Sequence, residues 1–388
     1  MPRPFTDVAG RDVSTQRVSS HMKQSSGPAT NPTPDTACGP TRARGTPLGA
    51  LAAAASLATA LAWPSFASAA DDVLNLYSAR HYQTDEALYK DFTDATGIRI
   101  NRIELGDEAL LERLRSEGDK SPADVVLLVD ASRLWKAQSQ NLFRPVKSAT
   151  LEQRIPAEFR ASDDSWFGFS SRARLIVYNK ATVKPADVDS YEALADPKNK
   201  GRLCTRSGSH PYNLSLFASL LERHGEAKTR DLLKGYVANM ARAPKGGDTD
   251  QIRAVASGEC GVALTNSYYW VRLLKSTKAQ DRDVVSRVVA LMPNQASSGT
   301  QMNLAGGAVA RHAPHPEAAV RFLEYLASDK AQTYFAAGNN EWPVVASARA
   351  ENPALASLGD FKQDRAPVDK VGKRTGDAQK LLDQVGYR

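Results

Sequence analysis

The chain has 388 residues, 42% hydrophobic and 24% charged, a composition of folded globular proteins and not of disordered, collagen-like or coiled-coil chains. Its formal charge of +7 is inflated by the first 69 residues, where Arg3, Arg11, Arg17, Lys23, Arg42 and Arg44 face only Asp7, Asp12 and Asp35; the remainder holds 44 basic against 40 acidic residues. No run of five or six like charges occurs, so the concentrated basic stripe that nucleic-acid binding needs is missing.

An Ala/Leu-rich stretch from Pro47 to Phe66 follows Arg42 and Arg44 and precedes Ala67-Ser68-Ala69. Basic flank, apolar core and small-x-small exit read as a secretory signal peptide cut after Ala69. A membrane anchor is the rival reading, opposed by the short core and by Pro64. Residues 1–41 are polar and Ser/Thr/Pro-rich, Met22 offers an alternative start, and the segment 1–69 is expected to be disordered or absent from the exported form. Export predicts the periplasm, and the absence of a lipobox cysteine at the cleavage point favours a free protein. Cys38 leaves with the leader, and Cys204 and Cys260 remain, an even number where disulfides persist. Two unrelated buried thiols would satisfy the same count.

Val73–Tyr77 reads as a strand, Asp85–Ala95 as a helix stopped at Gly97, Ile98–Leu105 as a strand, Asp107–Glu117 as a helix stopped at Gly118, and Ala123–Val129 as an apolar strand. This β-α-β-α-β order predicts a largely parallel sheet covered by helices. The pattern restarts with strands at Arg174–Tyr178 and Arg202–Thr205, helices at Leu214–His224 and Glu226–Asn239 divided by Gly225, and a helix at Gln251–Ser257 closed by Gly258. A strand at Gly261–Leu264 and a helix at Tyr268–Lys275 follow. Val284–Leu291 and Gly307–Arg311 read as late strands, and Glu317–Ala327 and Lys330–Ala336 as amphipathic helices. The fold class is therefore α/β with two lobes, a hinge and an interlobe cleft: a first lobe of residues 70–170 completed by about 300–388, and a second of 171–299. Exported two-lobed chains suit a solute-binding protein that closes on its ligand, but many enzymes share that shape.

Three sites carry tyrosines at β-to-α junctions: His81-Tyr82, Tyr212, and Tyr268-Tyr269, the last capped by Asn266 or Ser267. Open α/β sheets bind ligands at the carboxyl ends of strands, and helix N-termini favour anions such as phenolates. A phenol titrates near ~10, so a tyrosine cluster becomes an anionic donor set when a highly charged cation displaces its protons. Hard oxygen donors without thiolates or several imidazoles point to ferric iron over zinc or copper. Tyr77, Tyr89, Tyr178, Tyr236, Tyr325 and Tyr334 fall in apolar patterns and read as core, and Tyr191 as surface. His81 is either a fifth ligand or a hydrogen-bonding neighbour; His210 reads as a loop residue, and His224, His312 and His315 as helix-end or surface positions. The chain has no His-Glu-x-x-His, Walker loop, Gly-x-Ser-x-Gly elbow or zinc-type cysteine cluster, which leaves an enzyme reading without a nucleophile.

The blocks Asn75-Leu76-Tyr77-Ser78-Ala79-Arg80-His81-Tyr82, Arg174-Leu175-Ile176-Val177-Tyr178-Asn179-Lys180, Cys204-Thr205-Arg206-Ser207 with Tyr212-Asn213, and Gly258-Glu259-Cys260 with Asn266-Ser267-Tyr268-Tyr269 resemble the bacterial periplasmic ferric-iron-binding proteins. These are the substrate-binding components of iron ABC transporters. The resemblance implies a transferrin-like fold of the type II solute-binding class. It implies Fe(III) ligation by Tyr82 from the first lobe and Tyr212, Tyr268 and Tyr269 from the second, with His81 as an additional ligand and Cys204 paired with Cys260. A synergistic anion such as carbonate or phosphate would meet Arg80, Arg206 or Ser171-Arg172. The partners implied are a membrane permease and its ATPase, with the protein itself a monomer and no enzyme. The alternatives are a same-fold carrier for a polyamine, thiamine or phosphate, and an exported hydrolase or lyase using Tyr or His.

Overall fold

The structure is a computed structural model that describes residues 73–80, 82–349, 351–364 and 366–388. The expected leader, Cys38 and His81 lie outside the described residues. Among those described, no helix is long and apolar enough to cross a membrane.

Strand β1 (Val73–Ser78) leads to α1 (Asp85–Thr96), β2 (Arg99–Glu104), α2 (Asp107–Glu117), β3 (Val125–Leu128), α3 (Ala131–Ser139) and α4 (Ala149–Arg154). Asp85 and Glu86 suit the positive end of α1, which buries Leu88, Tyr89 and Phe92, and Gly97 ends it at φ 76°, a left-handed conformation that glycine adopts without a Cβ clash. The strands β1 and β2, and β1 and β3, pair in parallel, as expected for βαβ units.

The long β4 (Phe167–Asn179) opens the second half, followed by β5 (Leu203–Cys204), α5 (Pro211–Asn239), α6 (Asp248–Ser257), β6 (Val262–Asn266), α7 (Ser267–Leu274), α8 (Ala279–Arg287) and β7 (Val288–Leu291). Gly225 breaks α5 at φ 76°, ψ 171°, where the glycine stop was expected. The expected strand from Val284 is corrected: Val284 and Val285 lie on α8, whose Asp283 and Arg287 pair one turn apart at 2.9 Å, and extended pairing starts at Val288. Adjacent β-branched residues imitate a strand there, while the burial of Val284 alone follows helical spacing.

The chain then returns through β8 (Thr300–Val309) to α9 (Pro316–Leu326), α10 (Asp329–Ala337), β9 (Trp342–Pro343), α11 (Pro353–Ala356), β10 (Gln363–Asp364), α12 (Val368–Lys373) and α13 (Thr375–Gln384). Two strands connect the lobes. In β4, Phe167–Ala173 pairs with β8, and Arg174–Tyr178 pairs with β6; β8 in turn pairs antiparallel with β3. All thirteen residues of β4 are buried, as both its faces are covered.

One hydrophobic cluster joins β1, β3, α1 to α4, the start of β4, the end of β8, α9 and α10. Two further clusters flank the second-lobe strands, and Cys204 and Cys260 form a disulfide within one of them. The tail takes a course that differs from the expected return of 300–388 to the first lobe: Val371, Ala378, Leu381, Leu382 and Tyr387 pack in the second-lobe core. Tyr191 is corrected from surface to core. It is 2% exposed, donates its hydroxyl to the Arg174 carbonyl at 2.7 Å and accepts from the Gln301 amide at 3.1 Å.

Helix α12 is wedged between the lobes, with Val371 in the second core and Gly372 against Trp135 of α3. A Cβ at Gly372 would stand 2.4 Å from Trp135 Cγ. Gly372→Ala should therefore lower stability by about 1–3 kcal/mol despite alanine's better helix propensity, seen as a lower thermal unfolding midpoint.

Candidate metal centre

The tyrosine-bearing junctions converge. Tyr82 follows β1 in a turn where its carbonyl accepts from the Asp85 amide at 3.0 Å. Tyr212 is the second residue of α5, after Pro211, whose fixed φ suits a first helical position. Tyr268 and Tyr269 are the second and third residues of α7. The Tyr212 and Tyr268 hydroxyls are 2.9 Å apart, the Tyr82 and Tyr268 rings meet edge-on at 6.4 Å, and those of Tyr268 and Tyr269 lie 4.2 Å apart. All four line one cavity of about 310 Å³, together with Asp107 and Arg272. A larger open groove of about 570 Å³ beside α6 and α8 is lined by paired charges, among them Arg242 with Glu259 and Arg287 with Asp283, and contains no tyrosine.

Burial holds the Tyr82, Tyr212 and Tyr268 phenols above the ordinary range. Neighbouring charge adds to this, from Glu341 at Tyr82 and from Tyr212 and Tyr82 at Tyr268, while Arg172 works against it at all three. Arginines surround the cluster: Arg80 lies 5.0 Å from the Tyr82 ring centroid, Arg172 and Arg206 lie 5.4 and 5.1 Å from that of Tyr212, and Arg272 lies 5.5 Å from that of Tyr269. Such a set of neutral phenols, which ionises when a strongly charged cation takes the place of its protons, suits a hard cation of high valence. Among the described residues no group of three or more His, Cys, Asp or Glu offers another metal site.

Arg80 departs from its expected anion role. Its Nε and Nη2 donate to the Asp85 carboxylate at 2.8 and 3.2 Å, and the side chain is 4% exposed, so its fork is already occupied in the fold. Arg206 gives Nη1 to Asp248 at 3.2 Å and keeps a buried Nε without a hydrogen-bond partner among the described residues. Arg172, 1% exposed, donates Nη2 to the Val129 carbonyl, and its Nε and Nη1 lack such partners. His210 is more than a loop residue: it caps α5, its Nδ1 accepting from the Tyr212 amide at 3.3 Å, and burial beside Arg206 and Arg174 pushes its imidazole down to about 3. The expected cap of α7 is not made by a side chain; the Asn266 Oδ1 accepts from Arg174 instead, and the Ser267 hydroxyl accepts from the Ala173 amide at 3.2 Å.

Arg174 was not a candidate from sequence, although it stands in a quoted block. Just beyond the lobe crossing, its Nη1 donates to Asp248 at 2.7 Å and Asn266 at 3.1 Å, and its Nη2 to Asn213 at 2.8 Å. Asp248 also accepts from the Asn266 amide at 2.7 Å. One guanidinium thus fixes the starts of α5 and α7, the two helices that present three of the tyrosines. Asp107, which lines the cavity and accepts from the Val129 amide at 3.2 Å, was likewise missed, because an acidic first helical residue is ordinary on dipole grounds.

The sequence model of the bacterial extracellular solute-binding protein family matches residues 87–363, so the chain belongs to that family. Its two lobes joined by crossing strands are the periplasmic-binding architecture of these proteins. It is 48% identical to iron uptake protein A2 of Synechocystis sp., over 84% of this chain and 93% of that protein. It is 28% identical to the Fe(3+)-binding periplasmic protein of Serratia marcescens, over 84% and 94%. Among solved structures, the IdiA (FutA) protein of Trichodesmium in complex with iron and citrate superposes with a TM-score of 0.78 at 48% identity, covering 81% of this chain and all of that one.

Arg174→Met would strand Asp248, 0% exposed, with Arg206 as its remaining cation. Breaking this buried pair should cost about 3 kcal/mol, measured by denaturant unfolding.

Proposed function

We propose that this protein is a periplasmic carrier that captures Fe(III) between its lobes and delivers it to an ABC permease driven by a cytoplasmic ATPase. The reading rests on one observation above others: four tyrosines from both lobes share a cavity in which two hydroxyls already stand 2.9 Å apart. The iron-binding character of the related proteins supports it.

In this reading Tyr82, Tyr212, Tyr268 and Tyr269 give up their protons and bind iron as phenolates, with His81 as a further donor. The charge of the trivalent ion offsets the like-charge repulsion among phenolates that otherwise keeps the phenols protonated, and their protons leave to solvent. Because Tyr82 comes from one lobe and the others from the second, the ion stabilises the shut arrangement. A small oxygen-donor anion, carbonate or a similar species, meets the Arg206 side of the cluster, since Arg80 is committed to Asp85. The carrier performs capture and release, with no covalent step, and acts as a monomer.

The loaded protein should be coloured by phenolate-to-iron charge transfer, and Tyr268→Phe or Tyr269→Phe should remove most of the visible absorption while leaving the circular dichroism unchanged. Unaltered absorption in both variants rejects the ligand assignment. Calorimetric titration with Fe(III)-citrate, polyamines, thiamine and phosphate should give heat of site binding for the iron complex alone.

Since iron displaces phenolic protons, binding releases them, and affinity should fall as pH falls. Phenols titrating near ~10 are already protonated across the neutral range, and the raised titration of Tyr82, Tyr212 and Tyr268 carries the dependence on to higher pH. Competition against a chelator of known proton dependence, from pH 8 down to 5, should show weaker retention at each step; a flat profile would count against phenolate ligation.

A further inference from the structure

We propose that Ser215 and Asp130 form an interlobe latch that positions Tyr212 against Tyr82 and sets how long captured iron is held, an inference that rests on the ferric-capture reading. Asp130 belongs to the first lobe, where it caps α3 and is 0% exposed. Its Oδ1 accepts from the Ser132 amide at 2.8 Å and the Ser132 hydroxyl at 2.6 Å. Its Oδ2 accepts from Asn303 Nδ2 at 2.8 Å, and Asn303 Oδ1 accepts from the Ala131 amide at 3.1 Å. Asn303 lies on β8 directly opposite Arg172 of β4, whose Nη2 is 3.9 Å from the same carboxylate. The carboxylate is therefore anchored to its own lobe and to both crossing strands.

One donor comes from the other lobe. The Ser215 hydroxyl, on α5 in the second lobe and 1% exposed, donates to Asp130 Oδ1 at 2.7 Å. Ser215 follows Tyr212 by three residues, which puts the two on one side of the same rigid helix. On the first-lobe side, Val129, the residue before Asp130, lines the tyrosine cavity with Tyr82. The bond thus ties the backbone beside one half of the donor set to the helix carrying the other half. If the lobes part along this contact, water takes the place of each group's partner, and the net worth of a hydrogen bond to a charged group is lost. The hydrogen bond consequently favours the arrangement in which Tyr212 and Tyr82 share the cavity, without touching the metal. Ser215 and Asp130 act as positioning residues.

The test is Ser215→Ala in the full exported chain loaded with Fe(III), followed by release to excess chelator, read as decay of the visible band. Release should accelerate roughly tenfold, the effect of losing one hydrogen bond to a charged group. The band position should not move, because every proposed ligand remains. Ser219→Ala, one turn further along α5, removes a hydroxyl that reaches Asp364 at 3.4 Å and should leave the release rate as in the parent protein. Equal release from parent and Ser215→Ala, or equal acceleration by Ser219→Ala, overturns the latch. Small-angle X-ray scattering of the metal-free proteins supplies an arm independent of iron: Ser215→Ala should have the larger radius of gyration, and an unchanged radius overturns the latch. A parent protein that takes up no iron instead overturns the capture reading, and the scattering comparison then decides the latch by itself.

Discussion

Phenols packed this closely in a largely buried cavity resist ionising together, since each phenolate raises the cost of the next and water is too scarce to screen them. Tyr212 and Tyr268, as neutral phenols, share a hydrogen bond at 2.9 Å. The proposed trivalent ion would bring a positive charge dense enough to replace several protons at once in this site. The arginines around it, Arg172, Arg206 and Arg272, lower the cost of partial ionisation but are held at ring distance, about as far as a stacked guanidinium stands.

The scaffold exists to bring those oxygens together from two directions. Crossing strands β4 and β8 belong to both lobes, and the polar side chains at their midpoint, Arg172, Arg174 and Asn303, do the aligning. Arg174 looks into the second lobe and holds two helix starts; Asn303 and Arg172 meet Asp130 of the first. Buried charged groups are costly unless fully paired, so this midpoint tolerates few geometries. That intolerance makes a stiff reference frame for the proposed metal site divided between lobes.

A carrier must also let go. The donor set proposed here, phenolate oxygens with His81, is proton-linked, so protonation, reduction of the ion or separation of the lobes each loosens it. Of these, lobe separation is the one the chain itself governs, through contacts such as Ser215 with Asp130 and the α12 wedge at Gly372.

Much of this was legible in the order of residues. Glycines at 97, 118, 225 and 258 mark helix ends because few other residues tolerate the backbone angles required, and alternating apolar runs mark βαβ units. The tyrosines announced themselves by lying at strand-to-helix junctions, a local property. Other features depended on partners distant in sequence. Nothing near Tyr191 signals that its hydroxyl bridges Arg174 and Gln301, and Val284 looks like a strand residue until α8 packs it. The tail looked like part of the first lobe, yet Tyr387 lies in the core of the second. Residue order alone determined most of the elements and the places of the tyrosines at their junctions, since both follow from short-range sterics and side-chain type. Tertiary structure decided which arginines keep unpartnered guanidinium nitrogens and which is spent on a carboxylate, and which serine reaches across the lobes, because burial and pairing are set by neighbours that only folding supplies.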